Sequence, residues 1–184
     1  MNKYIEHFKT VAKHKYYVFK QCAGCGLYWQ GLIHDLSKLT PAEFFPSARY
    51  FQGNRSPIEA EKEDIGYSAA WLHHKGHNKH HWEYWVDFNK SAQPIPAEIP
   101  LKYVVEMICD FIGAGMAYQK TEWTTDSPLN YFGNVVGHRY YHKNTESLIW
   151  KYLYVIRDFG LEQFYSTARY DLAESKKASR IKEN

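Results

Sequence analysis

The chain has 184 residues, enough for one domain with its own hydrophobic core and too few for two domains of ordinary size. Its content of 45% hydrophobic and 23% charged residues is typical of a globular protein, and its net charge of +3 is too small to predict a nucleic-acid partner, although it allows a basic pocket for a small anion. It has no apolar run of about eighteen residues, no signal-peptide pattern and few cysteines, which predicts a cytoplasmic protein without a membrane span.

Apolar residues recur at helical spacing in the first third of the chain. We predict a first helix over residues 2–21, with His14 on or beside its apolar stripe, and a second helix that runs to about Leu36. The segment Thr40-Pro41-Ala42-Glu43 predicts the start of a third helix, with its threonine as the cap and its glutamate completing a capping box.

The middle of the chain continues this helical pattern. Ser56-Pro57-Ile58-Glu59 predicts another helix start, and a single helix from there carries His73 and His74 near its end. The polar, proline-rich connection after Trp85 is a candidate lid. A very apolar helix is predicted over residues 100–120. Its small residues form a face that permits close helix approach: Gly113, Ala114, Gly115 and Ala117.

The last third of the chain predicts two further helices. Ser127-Pro128 starts one that includes His138 and His142, and a second is marked by Tyr152 and the apolar residues after it. No alternating pattern longer than about five residues predicts a strand. The predicted fold class is therefore all-α, a single helical bundle of roughly six to eight helices over residues 1–172, followed by a charged tail over residues 173–184.

Five of the ten histidines lie between Trp71 and Trp85. Imidazole is the commonest metal ligand near neutral pH, so the cluster is either a metal site or a polar, histidine-rich surface. The aromatic residues interleaved with these histidines favour burial, and therefore the metal site.

Residues elsewhere in the chain supply partners for this cluster. His34-Asp35 brings two metal-binding groups together, with Lys38 spaced to reach an anion beside a metal; the alternative is a polar pair at a helix end. Asp110 lies in the middle of an apolar helix, where an unpaired carboxylate is costly, so its partner is a metal, a histidine or a basic side chain. His14 is either a hydrogen-bonded core histidine or a ligand.

The segment Cys22-Ala23-Gly24-Cys25 has the spacing of a redox or zinc pair. A structural zinc site needs a second ligand pair, whereas Cys109 is a lone third thiol, and a redox motif needs a preceding strand. We therefore predict reduced thiols that pack in the core.

The order His14, His34-Asp35 and Asp110 resembles the metal-dependent phosphohydrolases of the HD superfamily, which are helical domains with the pattern His…His-Asp…Asp. The segment His34-Asp35-Leu36-Ser37-Lys38 is similar to the HD-x-x-K form of that superfamily. Members with two metals insert further histidines, to which His74 and the pair His80-His81 are similar. Over residues 10–120 the chain also resembles a bacterial and phage family of unknown function. The motifs of that family are His-Asp-x-Ser-Lys, His-x-x-x-Asn-x-His-His-Trp-Glu-Tyr-Trp and Glu-Met-Ile-Cys-Asp.

The HD resemblance implies a set of site residues. The implied metal ligands are His14, His34, Asp35, His74, His80 and Asp110. His73 is the alternative to His74, and His81 the alternative to His80. The implied catalytic residues are Lys38, Asp35 and Glu83, while His81, Glu106 and Asn78 support the ligands or contact substrate. The nitrogen-rich set suits one or two divalent transition metals, namely iron, manganese, zinc, cobalt or nickel, better than magnesium.

The same resemblance implies hydrolysis of a small phosphorylated molecule, such as a nucleotide, by a metal-bound hydroxide. Two alternatives stay open: an HD-type di-iron oxygenase with the same ligands, and a non-catalytic protein that sequesters a nucleotide around a structural metal. The expected partner is the small-molecule substrate, and a homodimer is also left open.

Overall fold

The computed structural model describes residues 2–53 and 55–182, which are predominantly helical. The α-helices are α1 Lys3–Gly24, α2 Tyr28–Ile33, α3 Pro41–Tyr50, α4 Pro57–Ile65, α5 Ala69–His77, α6 Leu101–Gln119, α7 Ser127–Val135 and α8 Lys143–Lys182. Short 3₁₀ turns span Leu36–Leu39, Trp82–Trp85, Lys120–Glu122 and Val136–His138. The predicted all-α class is confirmed, and the eight helices of the described residues lie within the predicted number.

The lid candidate after Trp85 is a small hairpin. Strand β1 (Val86–Phe88) pairs antiparallel with strand β2 (Pro94–Pro96), so that Val86 lies opposite Pro96. The prolines are tolerated because this two-stranded ribbon has open edges on both sides.

The hydrophobic core lies between α1, α6 and α8. Fully buried members come from all three helices: Val18, Ile108, Ile112, Ile149, Tyr152 and Phe164. Helices α3 and α5 pack against each other, and α3 also packs against α1. The candidate site draws its residues from α1, α5 and α6 and from the turns after α2 and α5.

Three predicted helix boundaries are wrong. Helix α2 ends at Ile33, before His34 and Asp35. The single helix predicted from Ser56 is two helices, because Gly66 adopts a left-handed conformation (φ 83°) that ends α4, and Ser68 caps α5 by accepting a hydrogen bond from the Trp71 N–H. Helix α7 ends at Val135, so His138 and His142 do not share a helix.

The charged C-terminal segment is helical through Lys182 as part of α8, which is interrupted by non-helical angles at Gly160 (φ 82°, ψ −179°). The predicted tail over residues 173–184 therefore continues a helix, and its last two residues lie outside the described residues. Among the described residues no helix combines the length and the apolar character needed to cross a bilayer.

The three thiols lie inside the core. Cys22, Cys25 and Cys109 are all free and buried, with the sulfurs of Cys25 and Cys109 3.9 Å apart. Burial raises the pKa of the Cys109 thiol well above its ordinary value, and the neighbouring thiols add to this effect. These contacts agree with the prediction of reduced packing thiols.

The small-residue face of α6 allows α1 to approach closely. A Cβ atom added at Gly113 would lie 2.9 Å from the backbone nitrogen of Val18 and 3.1 Å from its Cα. We expect Gly113→Ala to lower the free energy of unfolding by about 2 kcal/mol, because the two backbones must separate. Urea unfolding measures this change. The matched control is Gly76→Ala in α5, where nothing lies within 4 Å of the added Cβ, and which should stabilise by up to about 1 kcal/mol. Equal effects at the two positions would contradict the prediction.

Candidate metal centre

The dipeptide His34-Asp35 turns both of its side chains toward one point. His34 follows the last residue of α2 in an extended conformation, and Asp35 adopts the left-handed region (φ 52°, ψ 28°). This conformation costs an L-residue roughly 1 kcal/mol, and aspartate tolerates it better than most residues. The ammonium of Lys15 donates to the carbonyls of Leu32 and His34 at 3.1 and 2.6 Å, which holds the turn against α1. As a result His34 Nε2 lies 3.3 Å from Asp35 Oδ2.

The first donor group surrounds this Asp35 oxygen. His14 from α1 brings its Nε2 to 3.4 Å from Asp35 Oδ2 and to 3.2 Å from Asp110 Oδ1 of α6. His34 Nε2 lies 3.5 Å from the same Asp110 oxygen. The facing atoms of His14, His34, Asp35 and Asp110 all lie within 4.8 Å of one another, so this group could hold a metal ion.

The second donor group surrounds the other Asp35 oxygen. Asp35 Oδ1 lies 3.3 Å from His74 Nε2 and 3.4 Å from His80 Nε2. His81 Nε2 completes the group at 2.8 Å from His74 Nε2. Asp35 therefore presents one carboxylate oxygen to each of two groups of side chains that could hold a metal ion.

Several facing atoms of the two groups are buried without a hydrogen-bond partner. Among the described residues these are His14 Nε2, His34 Nε2, His80 Nε2 and both carboxylate oxygens of Asp35. Asp35 Oδ2 has in addition an ion pair with Lys38 Nζ at 2.6 Å. Buried polar atoms are almost always satisfied, because leaving one unpaired costs roughly 1–3 kcal/mol. Apart from the Asp35 oxygen paired with Lys38, four such atoms converge on one place, which fits cation binding better than it fits a packed core.

Glu106 orients one histidine of each group. Its Oε1 accepts from Nδ1 of His34 at 3.0 Å and lies 3.3 Å from Nδ1 of His80, and its Oε2 accepts from the Gln30 side chain at 2.7 Å. Burial alone would raise the pKa of Glu106, but the hydrogen bonds to His34 and His80 outweigh it and lower this pKa to about 2. The ionised carboxylate keeps the proton on Nδ1 and turns Nε2 of both rings toward Asp35.

Glu43 does the same for His74 and was not predicted to do so. Its Oε2 lies 2.8 Å from His74 Nδ1, and its Oε1 lies 2.6 Å from His73 Nδ1. Thr40 donates its hydroxyl to the Ser37 carbonyl and makes no side-chain cap of α3, so the predicted capping box is wrong. The structure brings His74 rather than His73 into the donor group, with His74 Nε2 3.3 Å from Asp35 Oδ1.

His80 and His81 play different parts. His80 has the Asp35 and Glu106 contacts given above, whereas His81 makes no ion pair with a carboxylate among the described residues. Burial, and then the neighbouring imidazoles of His80 and His74, lower the pKa of His81 well below its ordinary value. Both histidines offer a ring nitrogen to the second donor group, and only His80 also contacts Asp35 and Glu106, so His80 as the ligand stays a prediction.

The charged groups described next are the Lys38 ammonium and the carboxylates of Asp35 and Asp110. Burial would raise the pKa of Asp35, but His34 and Lys38 outweigh it and hold this pKa well below its usual range. The pKa of Asp110 is likewise low despite burial, because the imidazoles of His14 and His34 lie 3.2 and 3.5 Å from its Oδ1. Asp35 and Asp110 raise the pKa of Lys38 against the opposing effect of burial, so Lys38 stays protonated.

Members of both donor groups line a cleft of ≈ 740 Å³, within the usual range of small-molecule sites: His14 and Asp110 of the first group, and His74 and His81 of the second. Lys38, Glu83 and Trp82 line the same cleft. Glu83 Oε2 is buried with no hydrogen-bond partner, and burial raises the pKa of this carboxyl. The cleft thus contains a cation and a half-buried carboxyl in addition to the donor groups.

The other predicted residues take lesser positions. Asn78 donates to Ser37 Oγ and to the His74 carbonyl, both at 2.8 Å, so it supports His74. His77 is exposed and stacks on His73, and His138 lies on the rim of the cleft. His142 contacts Glu98 at 3.7 Å, away from the donor groups.

Gln30, Lys15 and Glu43 are supporting residues that sequence reasoning missed. Their contacts with Glu106, His34 and His74 join parts of the chain that are far apart in sequence, and no local pattern indicates such pairs. Of these three residues only Glu43 lies in a recognisable local pattern, the capping box at a helix start, and capping explains that pattern without a contact to His74.

His7 is a further buried histidine of the cleft wall. It is 6% exposed, it packs against the rings of Phe44 and Phe51, and its Nδ1 has no hydrogen-bond partner. Burial, and then the charge of Lys38, lower the pKa of His7 from 6.5 to about 4.

His7 therefore makes the protein sensitive to acid. Between pH 6.5 and about 4 the unfolded chain binds a proton that the folded chain excludes, so the free energy of unfolding falls as the pH decreases through this range. We expect His7 to lower the free energy of unfolding by on the order of 2 kcal/mol over this pH range. The His7→Leu variant should lack this decrease. Urea unfolding of the metal-free protein at pH 7 and pH 4.5 measures the difference, with His77→Gln as the exposed control. An unchanged pH dependence in His7→Leu would refute the prediction.

The fold and the site define an all-α protein with buried histidine, aspartate and glutamate groups that could hold a metal ion. The chain belongs to the family of unknown function DUF5662, whose model matches residues 3–154. No curated protein and no solved structure matches it. The matched residues include every member of both donor groups, and the family description states no activity.

Proposed function

We propose that this protein is a metal-dependent phosphohydrolase with two divalent transition metals, acting on a small phosphorylated molecule such as a nucleotide. The observation that carries the proposal is the position of Asp35, with one buried oxygen toward each of two histidine groups. The resemblance of the ligand order to the HD superfamily supports the same reaction class. The nitrogen-rich donors favour iron, manganese, zinc, cobalt or nickel.

Metals held there would supply Lewis acidity toward phosphoryl oxygens and would lower the pKa of a bound water. The protein itself would supply two further groups. Lys38, which lines the cleft and pairs with Asp35, would neutralise charge that develops on the phosphoryl oxygens. Glu83 would hold a proton at Oε2 and donate it to the leaving-group oxygen. Trp71 and Trp82 line the cleft and would flank a nucleobase.

The test is an assay of the metal-loaded protein against nucleotides and simple phosphate esters, with each metal in turn. We expect release of inorganic phosphate, and expect Lys38→Met to lower kcat by roughly 100-fold because a charge that stabilises the transition state is lost. The control is Lys177→Met, an exposed lysine paired with Glu174 on α8. No phosphate release with any metal would refute the proposal.

The same assay separates the two alternatives. Oxygen consumption with an organic substrate, abolished under anaerobic conditions, would identify an oxygenase. Tight nucleotide binding without turnover in any metal would identify a sequestering protein.

A further inference from the structure

A small side pocket opens from the cleft beside the second donor group. Its volume is ≈ 70 Å³, enough for a few water molecules or one small anionic group. Its polar lining residues are His80, His81, Glu83, Asp110, Tyr131, Arg139 and Tyr141. A group bound in this pocket would therefore lie next to whatever the metal ligands hold.

Arg139 lines the pocket without an ion pair among the described residues. Its charge acts on an acidic group of the lining, Glu83, whose pKa is raised by burial and lowered to a smaller extent by Arg139. One guanidinium nitrogen donates to the Tyr131 hydroxyl at 2.7 Å and another lies 3.4 Å from the Tyr141 hydroxyl, and the group lies over the Tyr131 ring at 5.4 Å. Both of these partners are neutral, and no carboxylate of the described residues forms an ion pair with Arg139. Half-buried arginines are normally paired, because the guanidinium matches the two oxygens of a carboxylate or phosphate.

The surroundings strengthen any anion contact made by Arg139. Met107 and Phe111 give the pocket an apolar floor, and Trp71 and Trp82 form part of its wall. Apolar side chains lower the local dielectric, and in a low dielectric a charged hydrogen bond is stronger than in solvent. The two tyrosines hold the guanidinium in place, so little side-chain entropy is lost when an anion binds.

We propose that Arg139 binds a second anionic group of the substrate, so that the preferred substrates carry two acidic groups. One is the phosphoryl group at the histidine and aspartate donors, and the other is a phosphate or carboxylate in the side pocket. This inference rests on the proposed hydrolase function and names the substrate class for that same site.

The kinetic test compares substrates with one and two anionic groups. Arg139→Gln is assayed with p-nitrophenyl phosphate and with sugar bisphosphates and nucleoside diphosphates. We expect kcat/KM for the doubly charged substrates to fall roughly 10- to 100-fold, mostly through KM, because a charged hydrogen bond is lost. Arg139→Lys should recover part of the lost kcat/KM. For p-nitrophenyl phosphate, Arg139→Gln should change kcat/KM by less than about 5-fold. The control is Arg157→Gln, which removes an exposed arginine paired with Asp158.

Two kinetic outcomes would overturn the inference. An equal loss on both classes of substrate would mean that Arg139 only supports the fold around Tyr131 and Tyr141. No loss on either class would mean that no substrate group reaches the side pocket.

A binding experiment keeps the inference separate from the proposed function. The metal-loaded protein is titrated with orthophosphate, pyrophosphate and phosphonoacetate, and the affinities are measured by calorimetry. We expect tighter binding of the two probes that carry a second acidic group, and expect Arg139→Gln to abolish this preference. The relative affinities of pyrophosphate and phosphonoacetate tell whether phosphate or carboxylate suits the pocket. If nothing is hydrolysed but the preference depends on Arg139, only the hydrolase function fails; if the preference is absent or survives in Arg139→Gln, the inference fails.

Discussion

The Asp35→Asn variant is expected to lose metal from both donor groups at once. Asp35 is the one residue that both groups share, with Oδ2 facing His14 and His34 and Oδ1 facing His74 and His80. The amide keeps the shape of the side chain but removes its charge and one acceptor. Affinity should fall by more than about 100-fold, beyond the range typical of residues that only support a ligand. Hydrolysis should fall with it.

Metal content, measured by mass spectrometry, checks this result. The Asp110→Asn variant shows in addition whether the two donor groups bind metal separately. Asp110 belongs to the first group alone, so its variant should retain metal in the second group and bind about half as much as the wild-type protein. Asp158→Asn, on the surface of α8, is the matched control. An Asp35→Asn protein that keeps full metal content would exclude the bridging role, and equal losses in the Asp35 and Asp110 variants would exclude two separate groups.

The Glu106→Gln variant is expected to weaken metal binding by roughly 10- to 100-fold without removing any ligand. The ionised Glu106 contacts Nδ1 of both His34 and His80, and a neutral amide orients them less firmly and lowers their basicity. The effect should reach both donor groups, since His34 belongs to one and His80 to the other. Calorimetric titration with zinc or manganese measures it.

Gln30→Leu tests how far this support extends. Gln30 donates to the other Glu106 oxygen at 2.7 Å and touches no ligand, so its loss should weaken metal binding less than Glu106→Gln does. Glu174→Gln on the exposed face of α8 controls for the change of charge. If Glu106→Gln binds metal as tightly as the wild-type protein, the carboxylate has no part in positioning the histidines.

Local chemistry in the sequence was enough to predict the helical class. Apolar residues at helical spacing indicated α1 and α6, and Gly113 indicated that a second helix approaches closely there. The types of the site residues could also be read, because a buried aspartate such as Asp110 is costly without a partner and clustered histidines suit a metal. The resemblance to the HD superfamily put these residues in order, although their role as ligands stays a prediction.

Other features depended on contacts between distant parts of the chain. The left-handed conformation of Asp35 was not predicted, because the helical pattern continues past it to Leu36. The contact of Glu43 with His74 was not predicted either, since a glutamate in the first turn of a helix is explained by capping alone.

The amino-acid sequence by itself therefore determined that this protein is a helical bundle, and the order of its histidines and aspartates predicted a metal site through its resemblance to the HD superfamily. Only the tertiary structure decided that Asp35 faces two donor groups, that His74 rather than His73 reaches it, and that Arg139 lies beside them. The physical reason is that helix periodicity and capping act between residues a few positions apart. The contacts that shape the site, such as that between His34 and Glu106, join residues 72 positions apart and form only when the helices pack.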